Sequence, residues 1–134
     1  MALTLEYVTK LFENLETGKN NIFFDSVADD VHWTLMGTHP LAGVYNSKAE
    51  FLNATFERVA NLLKEGPIVM RIDHIYVSGD TAIVEMTSTS TALNGEPYPQ
   101  KFIWVTRFVD GSIVEVRAYL DSVLVQQLID KNER

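Results

Sequence analysis

Cysteine is absent from the 134 residues, and with it go disulfides, thiolate nucleophiles, thiol redox chemistry and cysteine-ligated metal sites. Proline and glycine are sparse, at 4 and 7, so the chain lacks the breaker density of a disordered protein and any proline-rich linker. Positive charge is scarce too. The 11 basic residues face 18 acidic ones, and the resulting net charge of -7 repels a phosphate backbone or an anionic membrane at long range. Nucleic acid and membranes are therefore not expected partners. No apolar run reaches the ~18 residues that cross a bilayer, and the opening MALTLEYVTK carries Glu6 inside its apolar stretch with no basic leader. The expectation is a soluble, cytoplasmic protein.

What remains is ordinary globular material, 46% hydrophobic and 22% charged, without internal repeats and of a length that suits one domain, residues 1–134. Leu3, Tyr7, Val8, Leu11, Phe12 and Leu15 recur at helical spacing before Gly18, which predicts a first helix over 3–16. Residues 21–27 read as a short helical turn burying Ile22, Phe23 and Phe24. A strand carrying Val31, Trp33 and Leu35 follows and ends at Gly37. Ser47 with Glu50 matches a capping box, and the stripe from Phe51 to Leu63 predicts a third helix closed by Gly66 and Pro67. From Ile68 the residues turn β-branched and aromatic, with turns at 78–80, 94–95 and 110–111, as in a meander of four antiparallel strands. Val123, Leu124, Gln127 and Leu128 predict a last short helix.

Helices followed by antiparallel strands make an α+β fold in which helices cover one sheet face. In the last strand Val114, Val116, Ala118 and Leu120 alternate with Glu115, Arg117, Tyr119 and Asp121, which predicts the even positions inside and the odd positions outside. The preceding strand, 101–109, is apolar on both faces apart from Lys101, Thr106 and Arg107, so its outer face is expected to be covered as well, by a homodimer across the sheet.

The order of elements, the stretch DDVHWTLMG followed by HPLAGVY and a capped helix, the turn VSGDTAIVE and the ending DGSIVEVRAYLDSVLVQQL resemble the SnoaL-like and ketosteroid-isomerase-like branch of the nuclear-transport-factor-like superfamily. The resemblance spans nearly the whole chain. It implies a cone: a curved antiparallel sheet wrapped around N-terminal helices, with a pocket opening between them. It also implies positions at which relatives keep catalytic groups. Where steroid isomerases of that superfamily carry a tyrosine, a base and an acidic donor, this chain has Leu11, Leu35 and Trp104; where epoxide hydrolases carry arginine and aspartates it has Met86, Ser88 and Ala118; the aspartate of SnoaL-type cyclases again falls on Ala118. None of these machines is intact, and Met, Leu and Ala cannot transfer protons.

The inward positions Trp33, Leu35, Met86, Ser88, Trp104, Thr106, Ala118 and Leu120, under a roof from Leu11, Phe51 and Thr55, are therefore read as the lining for a small hydrophobic molecule. The alternative is that both tryptophans simply fill the cone. His39, in the loop GTHPLAG near the wide end, is the candidate proton carrier; a loop-ordering histidine is its structural alternative. Asp121 suits an N-cap better than an acid. The histidines have no H-x-x-x-H or H-E-x-x-H spacing and no glycine-rich phosphate cradle or G-x-S-x-G occurs, so neither metal nor nucleotide cofactor is expected. The functional expectation is a ligand-binding cone, as an enzyme a cofactor-free isomerase or cyclase, with a non-catalytic binding or dimeric interaction module as the alternative.

Overall fold

The computed structural model describes residues 2–134. Helix α1 (Leu5–Glu16) starts at Thr4, whose Oγ1 accepts the backbone N–H of Tyr7 at 3.1 Å, and it buries Val8, Leu11, Phe12 and Leu15 along one face. Helix α2 (Asn20–Asp25) buries Phe23 and Phe24, whereas Ile22, expected inside, points to solvent. Strand β1 (Val27–Leu35) is followed by a loop and a three-residue edge strand, β2 (Gly43–Tyr45). Three residues are too few to show alternation, so β2 carries no strand signature in the sequence.

Ser47 caps α3, a continuous helix over 48–60, its Oγ accepting the Glu50 N–H at 3.0 Å. The helix contains a π-helical turn, Leu52–Phe56, between α-helical Lys48–Phe51 and Glu57–Ala60. The buried Thr55 hydroxyl donates to the Phe51 carbonyl at 2.8 Å within this turn, where the wider winding displaces the usual backbone partner. The helix ends at Ala60, earlier than the apolar stripe predicts. Leu62 and Leu63 are buried but leave the helix because their segment pairs with 91–93: Lys64 N–H donates to Thr91 O and Leu93 N–H to Leu62 O, both at 2.9 Å.

Strands β3 (Met70–Ser78), β4 (Thr81–Ser88), β5 (Lys101–Val109) and β6 (Ser112–Leu120) form the expected meander, and α4 (Ser122–Asn132) closes the chain. The six strands make one curved, open sheet in the order β2-β1-β6-β5-β4-β3. All pairs are antiparallel except β1 with β6, which run parallel with Trp33 opposite Val116 and Leu35 opposite Ala118. Alternation reports which face a residue occupies and not the direction of its neighbour, so this pairing was illegible in the sequence.

Inward and outward faces follow the expected parity over most of β6: Val116 and Ala118 are fully buried, Tyr119 is exposed, and Arg117 lies near Glu115 at 3.7 Å. A bulge in β6, where Val114 is left without a partner between the Arg107–Glu115 and Phe108–Ile113 pairs, breaks the pattern at the other end, so that Ile113 is buried in place of Val114. The β5–β6 hairpin turns through Asp110 and Gly111, both with positive φ (48° and 83°), as a two-residue hairpin turn with matching twist requires. On the outer face one row crosses the whole sheet, Tyr76, Ile83, Val105, Arg117, Thr34 and Val44, with Ile103 paired to Tyr119 beside it. Tyr76, Ile83, Ile103, Tyr119 and Val44 in these rows are exposed apolar or aromatic side chains.

Asp121 caps α4 as its position suggests, with Oδ1 accepting from Val123 N at 2.9 Å and Leu124 N at 3.2 Å. Asp121→Ala is expected to cost about 1 kcal/mol. Equilibrium urea unfolding that gives equal midpoints for variant and parent would show that the cap contributes nothing.

Candidate ligand cavity

The sheet register sets the interior. Ala118 on β6 lies opposite Trp104 on β5 and opposite Leu35 on β1, while Val116 lies between Thr106 and Trp33. The small Ala118 side chain leaves room above the sheet, and the two indoles meet there edge to face, with centroids 5.1 Å apart and planes at 82°. From the helical layer Phe51 stacks on Trp33 at 3.9 Å and 16°, and Phe12 approaches Trp104 at 6.1 Å. Such pairs stabilise by roughly 0.5–1.5 kcal/mol each beyond their buried area. The π-helical turn of α3 places Phe51 before it and Thr55 within it on the same inner side.

Beside this cluster is a cavity of about 60 Å³. That is space for about two water molecules at ~30 Å³ each, well below the ~300–1,000 Å³ of a typical ligand pocket. The aromatic side chains fill most of the cone. A larger hollow, about 630 Å³, lies at the end and outside of the sheet among Arg71, Asp73, His74, Glu85 and Lys101. Phe102 and Leu120, a cross-strand pair, border both spaces and separate them.

Four of the eight residues expected in the lining are there: Trp33, Leu35, Trp104 and Leu120. The other four are buried without reaching the space. Met86 and Ala118 are covered by their neighbours, the Ser88 Oγ accepts the Ser90 N–H at 3.2 Å, and the Thr106 hydroxyl donates to Ala82 O at 2.8 Å. Of the expected roof, Phe51 and Thr55 contribute and Leu11 does not. The remaining wall comes from segments outside the inward strand positions, among them Leu41, Ile68, Tyr98 and Val125.

His39 lies apart from these residues. It is buried in its own loop, Nε2 at 2.9 Å from the Met36 carbonyl and Nδ1 accepting the Leu41 N–H at 3.2 Å. A carbonyl can only accept and a backbone N–H can only donate, so the two partners together select the Nε2–H tautomer. Gly37 makes room for the ring: a Cβ there would stand 2.8 Å from His39 Cδ2 and 2.5 Å from Ser122 Oγ. His32 is exposed, and His74 stacks on Tyr76 at 6.3 Å on the outer face. Among the described residues no three His, Asp or Glu side chains gather where they could hold a metal ion.

Tyr98 is the one titratable side chain of the cavity wall. Burial, partly opposed by the hydrogen bond from Gln100, pushes its pKa up to about 12. Gln100 is fully buried and every polar atom of its amide is engaged. Nε2 donates to Tyr98 Oη at 3.2 Å and to Asp121 O at 2.9 Å, while Oε1 accepts from Asp121 N at 2.8 Å and Lys101 N at 3.2 Å. The phenol oxygen thus accepts a hydrogen bond from Gln100 and keeps its own proton to donate. The sequence carried one signal for Tyr98, an aromatic between two prolines in the otherwise polar TALNGEPYPQ.

Three buried side-chain polar atoms lack a partner among the described residues, and two are the indole nitrogens of Trp33 and Trp104. Both rings line the cavity. An unpaired buried donor costs about 1–3 kcal/mol, so two on adjoining rings call for a reason.

Residues 8–116 match the family described as the SnoaL-like domain. The dimerizing cyclase phiC of a fungal species is 29% identical over 131 residues, covering 95% of this chain and 57% of that protein. The dimerizing cyclase tstC of Talaromyces stipitatus is 33% identical over 108 residues, covering 78% of this chain and 48% of that protein. The chain spans about half the length of these curated relatives. Among solved structures, an NTF2-like protein of Burkholderia thailandensis matches with a TM-score of 0.76 at 23% identity, over 92% of this chain and 95% of that one, and so shares the fold.

The raised Tyr98 pKa has a consequence for stability. Because the folded state holds this proton more tightly than the unfolded chain, the contribution is complete below about pH 10 and is lost as pH rises towards about 12. The stability difference between the parent and Tyr98→Phe is expected to stay constant up to that lower pH and then to change against the parent. Urea midpoints that keep a fixed separation throughout the alkaline range would place the phenol in water.

Proposed function

Since the chain belongs to the SnoaL-like domain family, we propose that it takes a small apolar molecule into the cone and acts on it as a cyclase or isomerase, using side-chain hydrogen bonds alone. The observation that carries this reading is the wall itself, aromatic and aliphatic apart from Thr55, with two tryptophans whose buried indole nitrogens have no partner among the described residues. The dimerizing cyclases, relatives about twice as long, give the reaction class its direction.

Charge develops on oxygen in many cyclisations and enolisations, and neutral donors fixed in a dry site stabilise it without reorganising. Trp33, Trp104 and Tyr98 fit that role, with Gln100 as the positioning residue behind Tyr98. His39 fits loop ordering better, because both its ring nitrogens already serve the backbone of its own loop. The contracted cavity requires that the ligand part the aromatic side chains as it enters, so binding selects a more open state that is sparsely populated without it.

One observation favours a second reading, a dimeric module without catalysis: the cone is nearly full and the outer sheet face is apolar across most of its strands. The homodimer through that face belongs to both readings. It would cover Ile103, Tyr119, Ile83 and Tyr76. Among the described residues no helix is long and apolar enough to cross a membrane.

Two measurements separate these readings. Thermal denaturation in the presence of small apolar compounds is expected to give a saturable rise in Tm for some of them, since a ligand at 100 times its Kd stabilises by about 2.7 kcal/mol. A chain whose Tm no apolar compound moves would favour the module. Sedimentation of Ile103→Glu is expected to show a monomer where the parent is a dimer, and a dimeric variant would place the interface elsewhere.

A further inference from the structure

We propose that the ligand site runs out of the cone into the groove between α2 and α3, with Phe56 as the door between the two spaces, and that the ligand is an elongated apolar molecule with a neutral or cationic head. This rests on the ligand-binding reading above and gives that site its entrance and its substrate class.

The groove is an open hollow of about 430 Å³, walled by Phe24 from α2, by Leu52, Phe56 and Ala60 from α3 and by Pro67. It adjoins the cavity of about 60 Å³. Phe56 is in the wall of both spaces, and the backbone passes from one to the other between Pro67, in the groove, and Ile68, in the cavity. Phe24 meets Phe56 edge to face, with centroids 5.0 Å apart and planes at 73°, and its other neighbour is Trp33 at 6.1 Å. The partition is thus aromatic and held by contact alone. Beside it Asn20 Nδ2 donates to Ile68 O at 3.0 Å, while the buried Oδ1 of the same amide has no partner among the described residues.

Phe56 is the member of this wall that is free to turn. Trp33 and Phe51 are enclosed by the core, whereas Phe56 is only partly buried. It also ends the π-helical turn of α3, a winding that recurs at functional sites. Swinging its ring outward joins the groove to the cavity, and the joined space falls within the ~300–1,000 Å³ of ordinary ligand pockets, which the cavity alone does not. An apolar chain laid along both would follow side chains that are aromatic or aliphatic for its whole length.

The charged residues of the groove are Asp25, Glu57 and Lys48. Both acids are exposed. The Lys48 ammonium is engaged already, donating to Phe24 O at 3.0 Å and lying 3.4 Å from Asp29 Oδ1. A carboxylate head would meet two like charges and no free cation, whereas a hydroxyl or an ammonium finds acceptors there.

The protein contains two tryptophans, both in the cavity wall, so their fluorescence reports what arrives there. The probes are 4-bromo-1-butanol and 8-bromo-1-octanol, whose terminal bromine quenches an indole on contact. Both are expected to quench saturably, with affinity rising about fourfold for each added methylene and so on the order of a hundredfold between them. Ala60→Phe fills the groove from the partly exposed end of α3, where it leaves the core intact. It is expected to abolish the gain of the longer chain and to leave the shorter probe unchanged. Phe56→Ala is expected to speed association of the longer probe at least about tenfold, because an open state populated at roughly 10% or less becomes the resting one. The anion 8-bromooctanoate is expected to bind more weakly than the alcohol of equal length.

Undiminished binding of 8-bromo-1-octanol by Ala60→Phe, or equal affinity of the two alcohols for the parent, would overturn the groove and leave an apolar site confined to the cone. An unchanged association rate in Phe56→Ala would overturn the door, and 8-bromooctanoate binding as tightly as the alcohol would overturn the head group. If none of the three probes quenches up to its solubility limit, the ligand-binding reading fails together with this one.

Discussion

Everything inside this cone depends on a methyl group. Ala118 is the shared cross-strand partner of Trp104 on one side and of Leu35 on the other, and a larger side chain there would push the indoles out of the space in which they meet. With the floor so low, the tryptophans stand side by side, Phe51 closes on one of them from the helical layer, and the cavity is what their shapes leave unfilled. In the SnoaL-like cyclases the resemblance implies an aspartate at this position. Alanine here carries no acid, and its small side chain leaves room for the aromatic cluster.

The consequence is a cavity wall with hydrogen-bonding groups but no carboxylate or imidazole among its lining residues. The polar groups on the wall are an indole pair, a hydroxyl tied to its own helix and a phenol kept protonated by burial. Such groups hold fixed dipoles at fixed places, and fixed dipoles are effective where solvent is excluded. The family fold supplies the enclosure. It does not dictate the reaction, which depends on which atoms face inward.

Much of the architecture was legible in the sequence because its signals are local. The helical spacing before Gly18, the Ser47 cap, the Asp121 cap and the alternation of β6 each rest on a few neighbouring residues, and each appears in the structure. What escaped depends on longer-range pairing. The parallel partnership of β1 and β6 has no signature in alternation, and Leu62 and Leu63 leave their helix because residues 91–93 offer backbone partners. The site was half legible for a related reason. Parity tells which face of a strand is inward, and Met86, Thr106 and Ala118 are inward, but it cannot tell which part of that face its neighbours leave uncovered. Tyr98 was missed because it arrives on a loop, where there is no period to read.

The π-helical turn of α3 sets the angular relation between the two halves of that helix. An α-helix advances about 100° per residue, so one residue more or fewer in the 52–56 segment would rotate Phe56 and Val59 by that angle relative to Phe51. The wall they share would be re-dialled without touching the sheet. Single-residue insertion or deletion at this point is therefore a coarse tuning knob on the chamber's dimensions, available to natural drift and to protein engineers alike.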